Sequence, residues 1–253
     1  MNTEKKTNIV LSMVIAFSVG ASSSSCARWH FDIETGVVLP GYNDVRIPNE
    51  TGTLFSLTEE LETDPKPFFR TKVTYPINDR HSLTILAAPL RLHAEGQANR
   101  PVKFEEEEFP ANTSLTAKYR FDSYRLTYRY DFHRSENLQS GIGFTAKIRD
   151  ASISLEGDDK KAEKKNTGFV PLINFRLHWT FAKKLSLVLD GDALAAPQGQ
   201  GRAEDVLLAV QYNMNKNIDL KLGYRILEGG ADVDEVYNFT LIHYLVFGAV
   251  VSL

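Results

Sequence analysis

Residues 124–132 read YRLTYRYDF. Every even position is Tyr, Leu or Phe, and every odd position is Arg, Thr or Asp. A period of two places these sets on opposite faces of a β-strand. In a soluble sandwich the polar face of such a strand meets water and the apolar face a shared core. In a barrel crossing a membrane the apolar face meets lipid and the polar face the lumen.

The same alternation recurs through the chain. RWHFDIETGVV (28–38) sets Trp29, Phe31, Ile33 and Val37 against His30, Asp32, Glu34 and Gly36, and PFFRTKVTYPI (67–77) sets Phe69, Val73, Tyr75 and Ile77 against Arg70, Lys72 and Thr74. FVPLINFRLHWTF (169–181) opposes Ile173, Phe175, Leu177 and Trp179 to Asn174, Arg176, His178 and Thr180. Residues 140–154, 185–195, 205–213, 218–226 and 236–253 continue the pattern, and no stretch keeps the three-to-four spacing of an amphipathic helix. The expected fold is all-β, one antiparallel transmembrane barrel of about ten strands, with eight or twelve also compatible. Pro89 is expected to interrupt a strand over 82–93. A long strand over 113–132 changes apparent parity between Phe121 and Tyr124, which predicts a bulge at FDS (121–123).

The connections alternate in length. NDRH, HRSENL, AKK and NMNKN are short, whereas 39–66, 95–112, 156–166, 197–202 and 228–234 are longer and richer in Gly, Pro and charge. A barrel in a bacterial outer membrane has tight periplasmic turns and longer outer loops, while a sandwich has no reason to sort loop lengths by end.

A formal net charge of -3 gives no sign of nucleic-acid binding. Lys5 and Lys6 precede an apolar run over 9–21 and then SSSSCA, the three parts of a secretory signal peptide. The expected division is residues 1–27 as signal peptide and 28–253 as barrel. Cleavage after Ala21 or Ala27, or lipidation at Cys26, fits the small residues there; Cys26 is the one cysteine, so there is no disulfide framework.

With these features the chain resembles the small, porin-like outer-membrane β-barrel proteins of Gram-negative bacteria. The final segment carries the likeness further: Leu245, Phe247, Ala249, Val251 and Leu253 alternate to the last residue, which is Leu where the class typically has an aromatic. The resemblance implies an outer-membrane location, contact with membrane lipid and lipopolysaccharide, and recognition by the barrel-assembly machinery. It implies no cofactor and no nucleic-acid partner.

On this reading Tyr124, Leu126, Tyr128, Tyr130 and Phe132 face lipid, with aromatics before each short turn forming a periplasmic girdle. The lumen receives a charged cluster: Asp32, Glu34, Arg70, Lys72, Arg125, Arg129, Lys147, Arg149, Arg176, Asp190, Asp192 and Arg225, with His178, Asp219 and Lys221 also inward. About ten strands predict a mostly filled interior in which charges pair across strands. Centring the AKK turn on Lys183 sets Trp179 against Leu187, Leu177 against Leu189, Arg176 against Asp190 and Asn174 against Asp192. The functions open to such a chain are a structural or surface protein, or a narrow pore for a small solute; the alternative is an enzyme acting on lipid or lipopolysaccharide. No G-x-S-x-G, H-E-x-x-H or Gly-rich phosphate loop is present, so the expectation is a non-enzyme, with His30, His93, His178 and His243 as the available bases. The acidic run 105–108 is expected to be a solvated outer loop rather than a metal site.

Overall fold

The computed structural model describes residues 28–195 and 201–253, so the expected signal peptide lies outside the described residues. These residues form β1 (His30–Arg46), β2 (Phe55–Ser56), β3 (Leu61–Thr63), β4 (Lys66–Pro76), β5 (His81–Ala88), β6 (Arg91–Gln97), β7 (Val102–Phe104) and β8 (Glu107–Phe109). The long strands of the second half follow: β9 (Ser114–Arg134), β10 (Leu138–Gly157), β11 (Lys160–Ala182), β12 (Leu185–Ala195), β13 (Gly201–Asn215), β14 (Ile218–Val233) and β15 (Val236–Ser252). Ten strands close into a ring in the order β1, β4, β5, β9, β10, β11, β12, β13, β14, β15, every contact antiparallel. The seam between β15 and β1 runs from His30↔Ser252 to Arg46↔Tyr237. Closure gives every wall strand two partners, the condition for strands in hydrocarbon.

Sequence alternation becomes an outside and an inside. Ile33, Phe69, Ile85, Leu126, Phe144, Leu222 and Phe247 are exposed on the outer face, whereas Glu34, Arg70, Arg125, Thr145, Lys221 and Tyr244 are buried in the lumen. At one end lie the tight turns, the first described residues and the C-terminal residue, with the Leu253 N–H donating to Trp29 O at 3.0 Å. Trp29 meets Tyr75 in a tilted pair with ring centres 4.9 Å apart, Trp179 meets Phe181 likewise at 5.7 Å, and Lys184 sits over Tyr212, forming the aromatic girdle of that end. The β11–β12 register matches the mirror about Lys183, with Arg176↔Asp190, Leu177↔Leu189 and Trp179↔Leu187.

The opposite end departs from expectation in three ways. Residues 156–166 and 228–234 are not loops: β10 and β11 pair up to Gly157↔Lys160, and β14 and β15 up to Val233↔Val236, leaving two-residue tips. Above the lipid belt both sides of a strand tolerate charge, and cross-strand pairs such as Lys161–Glu156 at 3.3 Å support the ladder. There is no register shift at FDS in the β9–β10 pairing, where Phe121↔Ala151, Asp122↔Asp150 and Ser123↔Arg149 follow in sequence; the irregularity lies at Ser140/Gly141. Phe121 points inward because the lumen becomes apolar at its level. Third, the acidic run is a hairpin tip: β7 and β8 carry Val102, Phe104 and Phe109, all fully buried. Glu105 of the turn pairs with Lys164 of β11 at 3.2 Å, and Glu107 at the start of β8 with Lys160 at 3.7 Å.

Pro89 does break its strand, but the chain resumes along the same neighbour: β5 pairs β9 as far as Ala88↔Ser123 and β6 continues from Arg91↔Arg120. The segments between β1 and β4 and between β6 and β9 fold into the outer half of the ring. There Ile47, Phe55, Leu57, Leu61, Phe104 and Phe109 pack against Leu115, Tyr119, Leu155 and Leu207 of the wall. Phe55 and Phe104 meet edge to face at 6.2 Å.

Candidate functional site

The lumen has three levels. At the tight-turn end is a cavity of about 300 Å³ lined by His30, Arg129, Arg176, His178 and Gln139 among others. Above it lies a layer of ion pairs, and above that the apolar plug.

The ion-pair layer is built by strands whose inward positions carry charge at one height. Glu34 on β1 takes Lys221 at 2.7 Å and Arg225 at 2.9 Å, with Arg70 Nε at 3.4 Å. Asp205 on β13 takes Arg225 at 2.5 Å, Arg125 at 2.6 Å and Arg70 at 3.0 Å. Asp192 takes Arg125 at 2.7 Å and accepts from Thr145 Oγ1 at 2.7 Å and Asn174 Nδ2 at 3.0 Å. Lys72 joins Asp190 at 2.6 Å to Asp32 at 3.4 Å, and Lys221 returns to Asp32 at 2.6 Å. Five carboxylates and five cations thus form one linked set, contributed by β1, β4, β9, β12, β13 and β14. Charges this far from water persist because every one of them is paired, most of them more than once.

Of the residues expected in the lumen, Asp32, Glu34, Arg70, Lys72, Arg125, Asp190, Asp192 and Arg225 lie in this set. Arg129 and Arg176 lie below it in the cavity at the tight-turn end. Lys147 and Arg149 lie above it, beside an outer cavity of about 750 Å³ whose walls include Phe121, Ile153, Val170 and Leu227. Lys147 Nζ stands 4.8 Å from the Phe121 ring centre, and Arg149 reaches Asn166.

One expectation about contact is corrected. Arg176 and Asp190 are partners in register, yet the Asp190 carboxylate is taken by Lys72 across the lumen. Lys72 thus bridges its own register partner Asp32 on β1 and Asp190 on the far side of the narrow lumen. Asp205, the acid with three arginines, was missed by sequence reasoning. Residues 206–210, VLLAV, are apolar on both parities, but Tyr212 at the girdle fixes even positions as outward and would have placed Asp205, Leu207 and Ala209 inside.

Of the four histidines expected as available bases, only His30 and His178 share a cavity, at the tight-turn end. His30 Nδ1 lies 2.8 Å from Ser252 Oγ at the tight-turn rim, His178 lines the cavity there, His93 lies 3.6 Å from Glu95 at the outer end, and His243 bonds Tyr224 on the lipid face at 2.5 Å. Among the described residues no group of three or more His, Cys, Asp or Glu is placed to hold a metal ion.

No protein-family model and no curated protein matches the sequence. Solved structures do. The outer-membrane protease OmpT of Escherichia coli is similar over 92% of this chain and 99% of its own, with a TM-score of 0.58 and 9% identity. The fold is that of an outer-membrane β-barrel. The attachment invasion locus protein of Yersinia pestis, in complex with a heparin analogue, covers 89% of this chain and 99% of its own at TM-score 0.40 and 10% identity. The Pseudomonas putida toluene transporter TodX covers 90% of each chain at TM-score 0.35 and 9% identity. These likenesses concern the course of the chain and carry no shared chemistry.

Proposed function

We propose that this protein resides in the outer membrane as a sealed barrel, serving as a structural or surface-recognition protein rather than as an open pore for small solutes. The observation that carries the reading is the linked layer of five carboxylates and five cations across the lumen. An ion crossing the barrel would have to part charges that are mutually compensated, and then pass a plug containing Phe55, Phe104 and Phe109, each at most 2% exposed. Both barriers oppose steady conduction, the first by electrostatics and the second by exclusion of water. The outward apolar belt takes lipid as its partner, and the hairpins above it present charge to the outer surface, at the level where lipopolysaccharide lies.

Planar-bilayer recording of the refolded protein tests this. The expected result is heat-modifiable gel migration, the mark of a folded barrel, without steady conductance. A steady open level from the folded form would refute the sealed reading. Recovery of the mature protein from the soluble periplasm would refute the membrane location as well.

A further inference from the structure

The ten charges of the ion-pair layer pair among themselves; below them Arg129 meets Asp131 alone, and Arg176 meets no carboxylate within ion-pair distance among the described residues. Arg176 makes no ion pair and no hydrogen bond with the described residues. Arg129 is 7% exposed, its Nε is buried without a hydrogen-bond partner, and its nearest acid is Asp131 at 3.5 Å from that same Nε. Its two terminal nitrogens have no partner among the described residues, and Arg129 and Arg176 both line the cavity at the tight-turn end. Of the other acids lining it, Asp190 is bound to Lys72, Asp32 to Lys221 and Lys72, and Asp192 and Asp205 to arginines of the layer, while Asp219 accepts from Asn213 Nδ2 at 2.8 Å and Asp79 has no ion pair with the described residues; none of these reaches Arg129 or Arg176 within ion-pair distance.

Gly141 shows that this arrangement is built into the wall. It is the Cα partner of Asp131 on β9 and of Arg176 on β11. A Cβ at Gly141 would sit 2.3 Å from Asp131 Oδ1 and 3.0 Å from Arg129 Cδ, so the Arg129 stem lies across β10 in the space a side chain would fill. Two guanidinium-bearing residues therefore flank one glycine on three adjacent strands. A lysine or histidine in this position could relieve the charge by losing a proton; arginine cannot. Both side chains therefore keep their charge, and both line the cavity with N–H donors that no described residue fills.

We propose that Arg129 and Arg176 form a binding site for a small oxyanion entering from the periplasm, phosphate being the simplest member of the class. Guanidinium groups present paired N–H donors that match phosphate and carboxylate oxygens. The cavity of about 300 Å³ holds such an anion with a small attached group. The enclosing ring of strands keeps membrane headgroups out, so the anion is a free solute.

The test uses the purified protein refolded into vesicles, titrated with sodium phosphate or with sodium chloride at equal ionic strength. Wild type is expected to show a saturable rise in urea midpoint with phosphate and none with chloride. Arg176→Gln breaks no hydrogen bond or ion pair, so its midpoint without phosphate should be unchanged or higher, while its phosphate response is lost. Equilibrium dialysis of labelled phosphate should show binding roughly tenfold weaker or worse in Arg176→Gln and in Arg129→Gln, since a charged hydrogen bond removed is worth about one decade or more. Equal action of phosphate and chloride on wild type would overturn the proposal, as would a phosphate response retained in both variants. A clear loss of stability in Arg176→Gln without phosphate would show that a partner within the protein holds it, and would overturn the proposal too.

Discussion

Asp190 has two candidate partners, Arg176 by register and Lys72 by reach, and a pair of double-mutant cycles separates them. Lys72 Nζ lies 2.6 Å from Asp190 Oδ2, with side chains 15% and 13% exposed, and Lys72 keeps a second acid in Asp32 at 3.4 Å. Removing one partner of a buried pair costs roughly 3–5 kcal/mol. The residual exposure and the second acid place Asp190→Asn at the low end, about 3 kcal/mol. Combining it with Lys72→Met should cost about 2 kcal/mol less than the sum of the singles, because the lysine is no longer left facing a vacated site. With Arg176→Gln the same cycle should give a coupling below about 1 kcal/mol, the range of adjacent cross-strand charges that do not touch. The assay is the urea midpoint and slope of each variant refolded in lipid vesicles, with gel migration confirming the folded form. Coupling to Arg176 as large as that to Lys72 would refute the cross-lumen geometry, and purely additive losses in both cycles would remove Asp190 from the ion-pair layer.

Further outcomes follow from the outer face and the plug. Leu189→Arg, on the lipid side between Leu177 and Leu208, should impair insertion and cost about 2–4 kcal/mol in the refolded barrel, read from the same urea transitions; an unperturbed midpoint would place Leu189 elsewhere. Phe104→Ala, at a fully buried ring, should cost about 3–5 kcal/mol if the plug folds cooperatively with the wall; a normal midpoint would mean that it does not. Deleting residues 102–109 should leave bilayer conductance at baseline, because the ion-pair layer beneath still seals the lumen; steady current from that variant would assign the seal to the plug alone. Trypsin added to intact cells should cut slowly within 158–165, since all but Asp158 and Asp159 are paired in strands; rapid cleavage there would mean that the hairpin is open.

Alternation made the lower half of the barrel legible. Residues 169–181 and 185–195 each carry one more apolar and one more polar parity, and centring the AKK turn on Lys183 then leaves a single register, which the structure has as far as Thr180↔Ser186, where an irregularity precedes the turn. The limits came from reach and from environment. Register assigns neighbours along the wall, but a long side chain in a narrow lumen meets whatever stands opposite, as Lys72 meets Asp190, and nothing local in sequence records that distance. Asp205 stayed hidden because both faces of β13 around it are apolar, one toward lipid and one carrying Leu207 and Ala209 into the lumen. The charged and Gly-bearing stretches at 156–166 and 228–234 looked like loops since the usual marker of a strand, one apolar face, weakens where a hairpin rises into water.

The plug follows from the same consideration applied to β9. Below Tyr124 its outward residues are apolar and its inward residues Arg125, Thr127 and Arg129 are polar. Above it the outward positions are Thr116, Lys118 and Arg120, and the inward ones are Leu115, Ala117, Tyr119 and Phe121. The faces keep their parity while their chemistry inverts, so the strand needs no bulge to cross from lipid to water. Where lipid surrounds the wall, the apolar side of the strand is outside and the interior must be filled with polar groups that satisfy one another. Once water surrounds it, the hydrophobic effect favours turning the apolar side inward, which stabilises only if something apolar fills the ring. Residues 47–61 and 90–109 supply that filling. The two seals therefore have different physics: the lower depends on charge pairing, and the upper on apolar burial. A change in the protein that opens one of them leaves the other in place.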